Sequence, residues 1–192
     1  MPAELPGTAC WQHVGPRAGF EVAFFARRAG GWVIEGTTAA AEDGQTWVVG
    51  YRIEADAGWI TQRARITGRT IAGSRETVLE ADGSGHWAVD GASAPELDGC
   101  LDVDLESSAM TNTLPVHRLG MPAGGVASVP AAYVRACGLS TGRLEQDYRR
   151  IADEGGHQRY DYAAPAFGFT ARLVYDSNGL VLDYPGIARR AG

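Results

Sequence analysis

Hydrophobic and polar residues alternate along several short stretches of the chain, and this alternation predicts β-strands. The clearest case lies between residues 98 and 119, where Leu101, Val103 and Leu105 alternate with Asp102 and Asp104 before the pattern breaks. On a strand, this spacing places the two carboxylates on one face and the three apolar side chains on the other.

Two pairs of such stretches are predicted to form hairpins. Residues 171–175 and 180–184 flank Asn178-Gly179, which supplies the positive φ angles of a tight turn. Residues 76–81 and 86–90 flank a D-G-S-G turn in the same way. The 26 glycines are spread along the chain, which favours many turns. Short strands with regular turns predict a mainly β, antiparallel architecture.

Helical spacing is found in two places. Residues 107–119 are predicted to form a helix that begins at Ser107 or Ser108, with Met110, Leu114 and His117 on one face and Pro115 near its end. Residues 142–152 are a second candidate, because Leu144, Tyr148 and Ile151 also follow helical spacing. Residues 131–137 favour a strand. The pattern therefore predicts a mainly β (α+β) fold with one or two helices.

Size and charge narrow the possible partners. The 192 residues suit a single domain over residues 1–192 with a substantial core. The net charge of −6, with scattered arginines, argues against a nucleic-acid partner. The first residues lack the pattern of a signal peptide, and no stretch is apolar enough to span a bilayer. The three cysteines are far apart, which predicts free thiols and a cytoplasmic location.

The sequence gives little sign of a known catalytic centre. It contains no H-E-x-x-H or S-x-x-K pattern, and its four histidines are isolated from one another. The cysteines lie among apolar residues, which is typical of inert buried thiols. The sequence therefore predicts no cofactor, no metal and no catalytic residue, and it makes an enzyme the less favoured interpretation.

Charged residues suggest a binding surface instead. Asp102 and Asp104 could hold a metal, but a pairing with Arg63 and Arg65 is more economical, because these arginines are predicted to share a strand face with Trp59. Such a cross-strand ladder is either solvated surface or the polar lining of a groove that holds sugar hydroxyls or phosphate.

Aromatic residues form a second candidate set. Tyr160 and Tyr162 share a strand face, and Tyr184 follows Asp183 near the end of the chain. Aromatic faces stack on sugars and line apolar troughs, although tyrosines also fill β cores. We interpret these three tyrosines as candidate ligand contacts.

Many of these residues also occur in the pattern of one known protein family. The sequence resembles a bacterial family named for glycolipid binding and formerly described as a domain of unknown function. The resemblance covers most of the chain in order, and it is carried by Trp32–Thr37, Tyr51, Ala57–Trp59, Gly85–Trp87, Gly91, Leu97–Leu105, Thr111–Pro115, Arg118-Leu119, Gln146–Tyr148, Tyr160–Tyr162 and Gly179–Gly186.

The resemblance implies a spiral β-roll, in which a long and strongly curved antiparallel sheet wraps around one helix, as in bacterial carriers of lipoproteins. It also implies non-catalytic binding or carriage of an amphipathic ligand, such as a glycolipid, in a groove between sheet and helix. The alternatives are a cofactor-independent enzyme acting on a small hydrophobic or aromatic metabolite, and a structural protein. The expected ligand contacts are Trp59, Arg63, Arg65, Asp102, Asp104, Asn112, Arg118, Tyr160, Tyr162 and Tyr184.

Overall fold

A computed structural model of the protein describes residues 5–192. Strands account for most of these residues. The first part of the chain contains β1 (Thr8–His13), β2 (Ala18–Arg28), β3 (Gly31–Glu42), β4 (Gln45–Asp56), β5 (Thr61–Thr70), β6 (Gly73–Ala81), β7 (Trp87–Val89) and β8 (Ala92–Ser93). The remainder contains β9 (Asp102–Leu105), β10 (Val126–Ser128), β11 (Ala131–Val134), β12 (Thr141–Leu144), β13 (Asp147–Glu154), β14 (His157–Ala164), β15 (Phe169–Tyr175), β16 (Val181–Tyr184) and β17 (Ala188–Ala191).

Fourteen strands form one antiparallel sheet that does not close into a barrel. Its order is β10-β13-β14-β15-β16-β17-β1-β2-β3-β4-β5-β6-β7-β8. Two meanders are thus joined where β17 pairs with β1, with Cys10 opposite Ala191 and His13 opposite Ala188. The strands β12, β11 and β9 form a second sheet, in which β9 and β11 are parallel.

The chain between the two meanders carries the α-helix, α1 (Thr113–Leu119), which follows a 3₁₀ turn at Met110–Asn112. Two further 3₁₀ turns cover Pro95–Leu97 and Pro165–Phe167. Pro115 lies in the first turn of α1, where a missing backbone N–H removes no hydrogen bond within the helix. Met110 and Leu114 are fully buried. The predicted fold class, a long antiparallel sheet with one helix, is confirmed.

The predicted hairpins are confirmed as β15–β16 and β6–β7. Gly179 has a φ of 76°, as the turn between β15 and β16 requires. The predicted helix at 142–152 is wrong, because these residues form β12 and most of β13. Leu144 and Tyr148 are four residues apart, and this spacing fits a strand of period two as well as a helix. Both side chains are buried, and exposed residues lie between them.

The inward and outward faces of two strands differ from what simple alternation suggests. On β2, Phe20 and Phe24 are more than half exposed, whereas Glu21 between them is fully buried. On β5, the pairing with β4 shifts after Glu54, which pairs with Arg63 while Ala55 pairs with Thr61. A bulge of this kind adds one residue and reverses the order of faces. The carboxylate of Glu21 thus points into the core. On β5, the bulge turns Arg63 and Arg65 outward.

Candidate functional site

The buried carboxylate of Glu21 holds the start of the helical region. It accepts hydrogen bonds from the Tyr51 hydroxyl at 2.7 Å, from the Ser108 hydroxyl, and from the backbone N–H groups of Ala109 and Met110 at 2.8 and 3.4 Å. Burial raises its pKa, although all four donors act in the opposite direction. A charged acceptor at these free N–H groups fixes the helical region to β2 and β4.

Asp102 on β9 forms an ion pair with the helix. Two bonds join its carboxylate to the Arg118 guanidinium, from Nε to Oδ1 at 3.1 Å and from Nη2 to Oδ2 at 2.5 Å. Burial raises the pKa of Asp102, and Arg118 opposes this shift. The two residues, both predicted as ligand contacts, are therefore paired with each other and tie α1 to the second sheet.

Asp104, two residues further along β9, has different surroundings. It accepts hydrogen bonds from the Thr111 hydroxyl at 2.9 Å and from the Gln146 amide at 2.5 Å. Both donors are neutral. Desolvation raises the pKa of Asp104 to about 6, and the charges of Asp102 and Glu106 add to this effect.

Tyrosines from neighbouring strands pack edge to face around the start of α1. Tyr148 has its ring centroid 5.1 Å from that of Tyr162, and Tyr160 lies 5.3 Å from Tyr175. The side-chain amide of Asn112 donates to the Tyr148 hydroxyl at 2.7 Å, and the Tyr175 hydroxyl donates to the backbone carbonyl of Asn112 at 3.2 Å. Asn112 is thereby held in one orientation between sheet and helix.

A cleft of about 340 Å³ opens beside this cluster, and we call it the tyrosine cleft. Its volume is at the low end of the range for small-molecule sites. Four predicted contact residues line it, namely Asp104, Asn112, Tyr162 and Tyr184. The other lining residues are Arg17, Glu42, Leu105, Glu106, Ser108, Tyr133, Arg135, Leu144, Ala164, Phe167, Phe169 and Ile187.

The arginines of the tyrosine cleft are paired with acids. Arg17 contacts Glu42 at 2.9 Å, and Arg135 lies 3.6 Å from Glu106. The guanidinium of Arg135 also stands 5.8 Å from the ring centre of Tyr133. Apolar and aromatic walls thus lie next to charged groups, which is the division that an amphipathic molecule requires.

The remaining predicted contacts lie elsewhere. Arg63 and Arg65 are half exposed on the outside of the sheet, 3.7 Å from Glu80 and 2.8 Å from Glu76 respectively. The predicted ladder with Asp102 and Asp104 is therefore wrong, because the bulge on β5 turns both arginines away from β9. The prediction that Trp59 shares their face is wrong for the same reason, since Trp59 is buried.

Trp59 packs between Trp32 and His117, with ring centroids 5.0 and 4.1 Å away. Tyr160 is fully buried within the tyrosine cluster. Neither residue lines the tyrosine cleft. The expectation that the cysteines are buried holds for Cys100 but is wrong for Cys137, which is exposed in the loop after β11.

Several residues of the site have no obvious sequence signal. Glu21 lies among apolar residues that alternate as if the glutamate faced solvent. The lining residues Arg17, Glu42, Glu106, Tyr133, Arg135, Phe167 and Phe169 come from separate parts of the chain, and only tertiary pairing brings them together. The aromatic pair in Phe167-Gly168-Phe169 is the one local feature that could have been noticed.

Comparison with known proteins relates this architecture to a sequence family. Residues 8–190 match the family described as "Putative glycolipid-binding". The chain belongs to this family. No curated protein matches the chain in sequence.

Two solved structures have a similar fold. A DUF1089 family protein from Pseudomonas aeruginosa is 32% identical over 89% of this chain and 92% of its own, with a TM-score of 0.74. A β-barrel-like protein of the domain of unknown function DUF1849 from Brucella abortus is 10% identical over 95% of this chain and 93% of its own, with a TM-score of 0.51. The second likeness concerns the fold alone.

Two further observations concern residues 5–192. None of their helices has the length and apolar character needed to cross a membrane. In the same range, no three side chains of His, Cys, Asp or Glu come together as a possible metal site.

Proposed function

We propose that the protein binds or carries an amphipathic ligand, such as a glycolipid, in the tyrosine cleft, without catalysing a reaction. The observation that carries the proposal is the division of the cleft into an aromatic wall and a polar floor. Tyr162, Phe169 and Tyr184 form one wall, with centroids 5.9–6.3 Å apart, and Asp104 and Asn112 provide polar groups beside them. The description of the family as glycolipid-binding supports the same ligand class.

The position of the cleft also supports binding between sheet and helix. Ser108 and Asn112 belong to the helical region, whereas Tyr162, Phe169 and Tyr184 belong to β14, β15 and β16. An apolar chain against these rings would leave its polar head near the charged residues. A volume of about 340 Å³ suits a small single-chain amphiphile rather than an entire two-chain lipid.

Binding of a single-chain glycolipid tests the proposal. Decyl glucoside, kept below its critical micelle concentration, is titrated into the protein by calorimetry. We expect one site, with affinity at least tenfold weaker in Phe169→Ala, because this change removes one ring of the aromatic wall. Phe20→Ala is the matched control, since Phe20 is 54% exposed on the outer face of β2 and does not line the cleft.

Each outcome has a clear meaning. Equal binding by Phe169→Ala and the wild type, or no binding by either, would contradict the proposal. Native mass spectrometry of protein purified gently from its own host gives an independent result, because a lipid that co-purifies with the wild type should be lost from Phe169→Ala. Circular dichroism of each variant checks that the fold is retained.

A cofactor-independent enzyme acting on a small hydrophobic or aromatic metabolite is the second candidate. It is favoured by Asp104, whose pKa of about 6 suits proton transfer near neutral pH. Molecules that co-purify can be extracted, identified and incubated with fresh protein. Recovery of unchanged molecules supports binding, and conversion that Asp104→Asn abolishes supports the enzyme.

We also propose that binding takes place in the cytoplasm. Cys10, Cys100 and Cys137 are all free thiols, as expected in a reducing compartment. Fractionation of the host cells, with detection of the native protein by antibody, tests this location.

A further inference from the structure

Two aspartates that share one face of β9 differ in how their charges are balanced. Asp102 is bound by the Arg118 guanidinium through two hydrogen bonds. Asp104 receives bonds only from the neutral Thr111 hydroxyl and Gln146 amide, and no arginine or histidine of residues 5–192 forms an ion pair with it. A carboxylate withdrawn from water is costly unless an opposite charge compensates it. Asp104 therefore lacks the counter-charge that its neighbour has.

The arginines of the tyrosine cleft are engaged elsewhere. Arg17 pairs with Glu42 and also donates to the Glu106 carbonyl at 2.5 Å. Arg135 lies near the Glu106 carboxylate, which also accepts the Ala136 N–H at 2.7 Å. The lining thus holds three carboxylates, on Glu42, Asp104 and Glu106, against two guanidinium groups. This balance leaves the cleft with an excess negative charge, and that charge belongs to Asp104.

The aromatic wall also suits a positively charged ligand. Tyr162, Phe169 and Tyr184 are inclined to one another by 61–80°, so the three rings present differently directed faces and edges beside Asp104. The faces of aromatic rings are electron-rich and attract ammonium and quaternary ammonium groups. An anionic head group in the same place would be repelled by the Asp104 carboxylate.

We propose that the ligand of the tyrosine cleft carries a positively charged nitrogen, either a primary amine or a quaternary ammonium group, which pairs with Asp104 against the aromatic wall. This inference rests on the proposed function and specifies the chemistry of the ligand head. The apolar part of the ligand lies along the remaining aromatic and aliphatic lining.

Protonation of Asp104 then controls the affinity. Its pKa of about 6 means that most of the carboxylate is ionised at pH 8 and about a tenth at pH 5. A cationic ligand should therefore bind about tenfold more weakly at pH 5 than at pH 8. The titratable groups that face Asp104 are Asp102 and Glu106 on its own segment, together with Tyr133, Tyr148, Tyr162, Tyr175 and Tyr184 from the packed strands.

Three amphiphiles with the same chain test the inference: decyltrimethylammonium, decyl glucoside and decanoate. Each is titrated by calorimetry below its critical micelle concentration, at pH 8 and about 150 mM salt. We expect the cation to bind at least tenfold more tightly than the neutral glucoside, and decanoate to bind most weakly. Asp104→Asn should remove the advantage of the cation over the glucoside.

Asp153→Asn is the matched control, because Asp153 is an exposed carboxylate on β13 that does not line the cleft. It removes the same net charge, so a loss confined to Asp104→Asn excludes non-specific attraction to an acidic protein. Equal binding of all three amphiphiles, or tightest binding of decanoate, would overturn the inference while leaving the proposed function intact. Absence of binding, or binding that Phe169→Ala does not weaken, would overturn both.

Discussion

The imidazole of His117 stacks on the indole of Trp59, with ring centroids 4.1 Å apart and ring planes inclined by 21°. This contact packs the C-terminal half of α1 against the turn between β4 and β5. Burial lowers the pKa of His117 to about 4, below the ordinary value of 6.5. Between about pH 4 and pH 6.5, the imidazole is therefore neutral in the folded protein and protonated in the unfolded chain.

Acid should destabilise the protein partly through His117. The contribution of the neutral ring is present above pH 6.5 and is lost as the pH falls toward 4, because the unfolded chain then binds one more proton. In His117→Gln, the difference in unfolding free energy from the wild type should shrink toward acid, by at most about 1.4 kcal/mol per pH unit. Urea denaturation at pH 7, 6 and 5 measures this difference. A difference that does not change with pH would contradict the lowered pKa of His117.

The turn at Gly179 lies against the same histidine. A Cβ atom on Gly179 would stand 2.7 Å from Nε2 of His117. Gly156 has a similar φ, 81° against 76°, but a Cβ there would meet nothing within 4 Å. Gly156→Ala should cost about 1–2 kcal/mol for the left-handed backbone alone. Gly179→Ala should lower the unfolding free energy by about 1–3 kcal/mol more, because its Cβ clashes with His117. Equal losses for the two variants in chemical denaturation would contradict the predicted clash.

The hydrogen bonds of Glu21 predict a large effect from a small change. In Glu21→Gln, the side chain loses its negative charge, and an amide N–H₂ replaces one of the two oxygens that accept hydrogen bonds. We expect a loss of about 3 kcal/mol in unfolding free energy, since the change removes charge-assisted bonds at a buried site. Glu35→Gln, with a side chain 58% exposed on β3, is the control and should change little. A fully stable Glu21→Gln would mean that the native carboxyl is protonated.

Removing one partner of the Asp102–Arg118 ion pair should destabilise the fold strongly, whereas replacing both partners by apolar side chains should destabilise it little. Arg118→Ala leaves a carboxylate that is 2% exposed without its counter-charge, so we expect a loss of about 3–5 kcal/mol. The double change Asp102→Leu with Arg118→Met should recover most of this loss, because two apolar side chains of similar size replace the pair. Thermal and urea unfolding of the three proteins decide the matter, and a double variant less stable than Arg118→Ala would refute the explanation.

Removal of Arg63 should have little effect. Its guanidinium lies 3.7 Å from Glu80, and both side chains are about half exposed. Arg63→Ala should change the unfolding free energy by less than about 1 kcal/mol and leave binding of decyl glucoside unaltered. A loss of binding in calorimetry would contradict this prediction and indicate that Arg63 contacts the ligand.

Local chemistry explains which parts of the fold could be predicted from sequence. The hairpin around Gly179 was predictable because its turn needs a positive φ that favours glycine. The strand at 102–105 was predictable from its own alternation. Leu144 and Tyr148 misled because their spacing satisfies two periodicities, and only pairing with neighbouring strands distinguishes them.

Long-range pairing explains what could not be predicted. The bulge opposite Glu54 exists in the register of two strands and reverses the face of Arg63. Glu21 is buried because a helical region 87 residues further along the chain supplies its donors. Of the ten predicted contacts, Asp104, Asn112, Tyr162 and Tyr184 line the cleft. Their role in binding stays a prediction, as do the cytoplasmic location and the single domain.

The pairing of β1 with β17 has a consequence for the order of folding. The first strand of the chain finds one of its two partners among the last residues, with Cys10 opposite Ala191. Such a contact closes a loop of nearly the whole chain and is entropically expensive to form early. During synthesis, β1 therefore keeps one unpaired edge until β17 has left the ribosome. An unpaired edge invites association with other chains, so a truncation that removes β17 should aggregate rather than bind ligand.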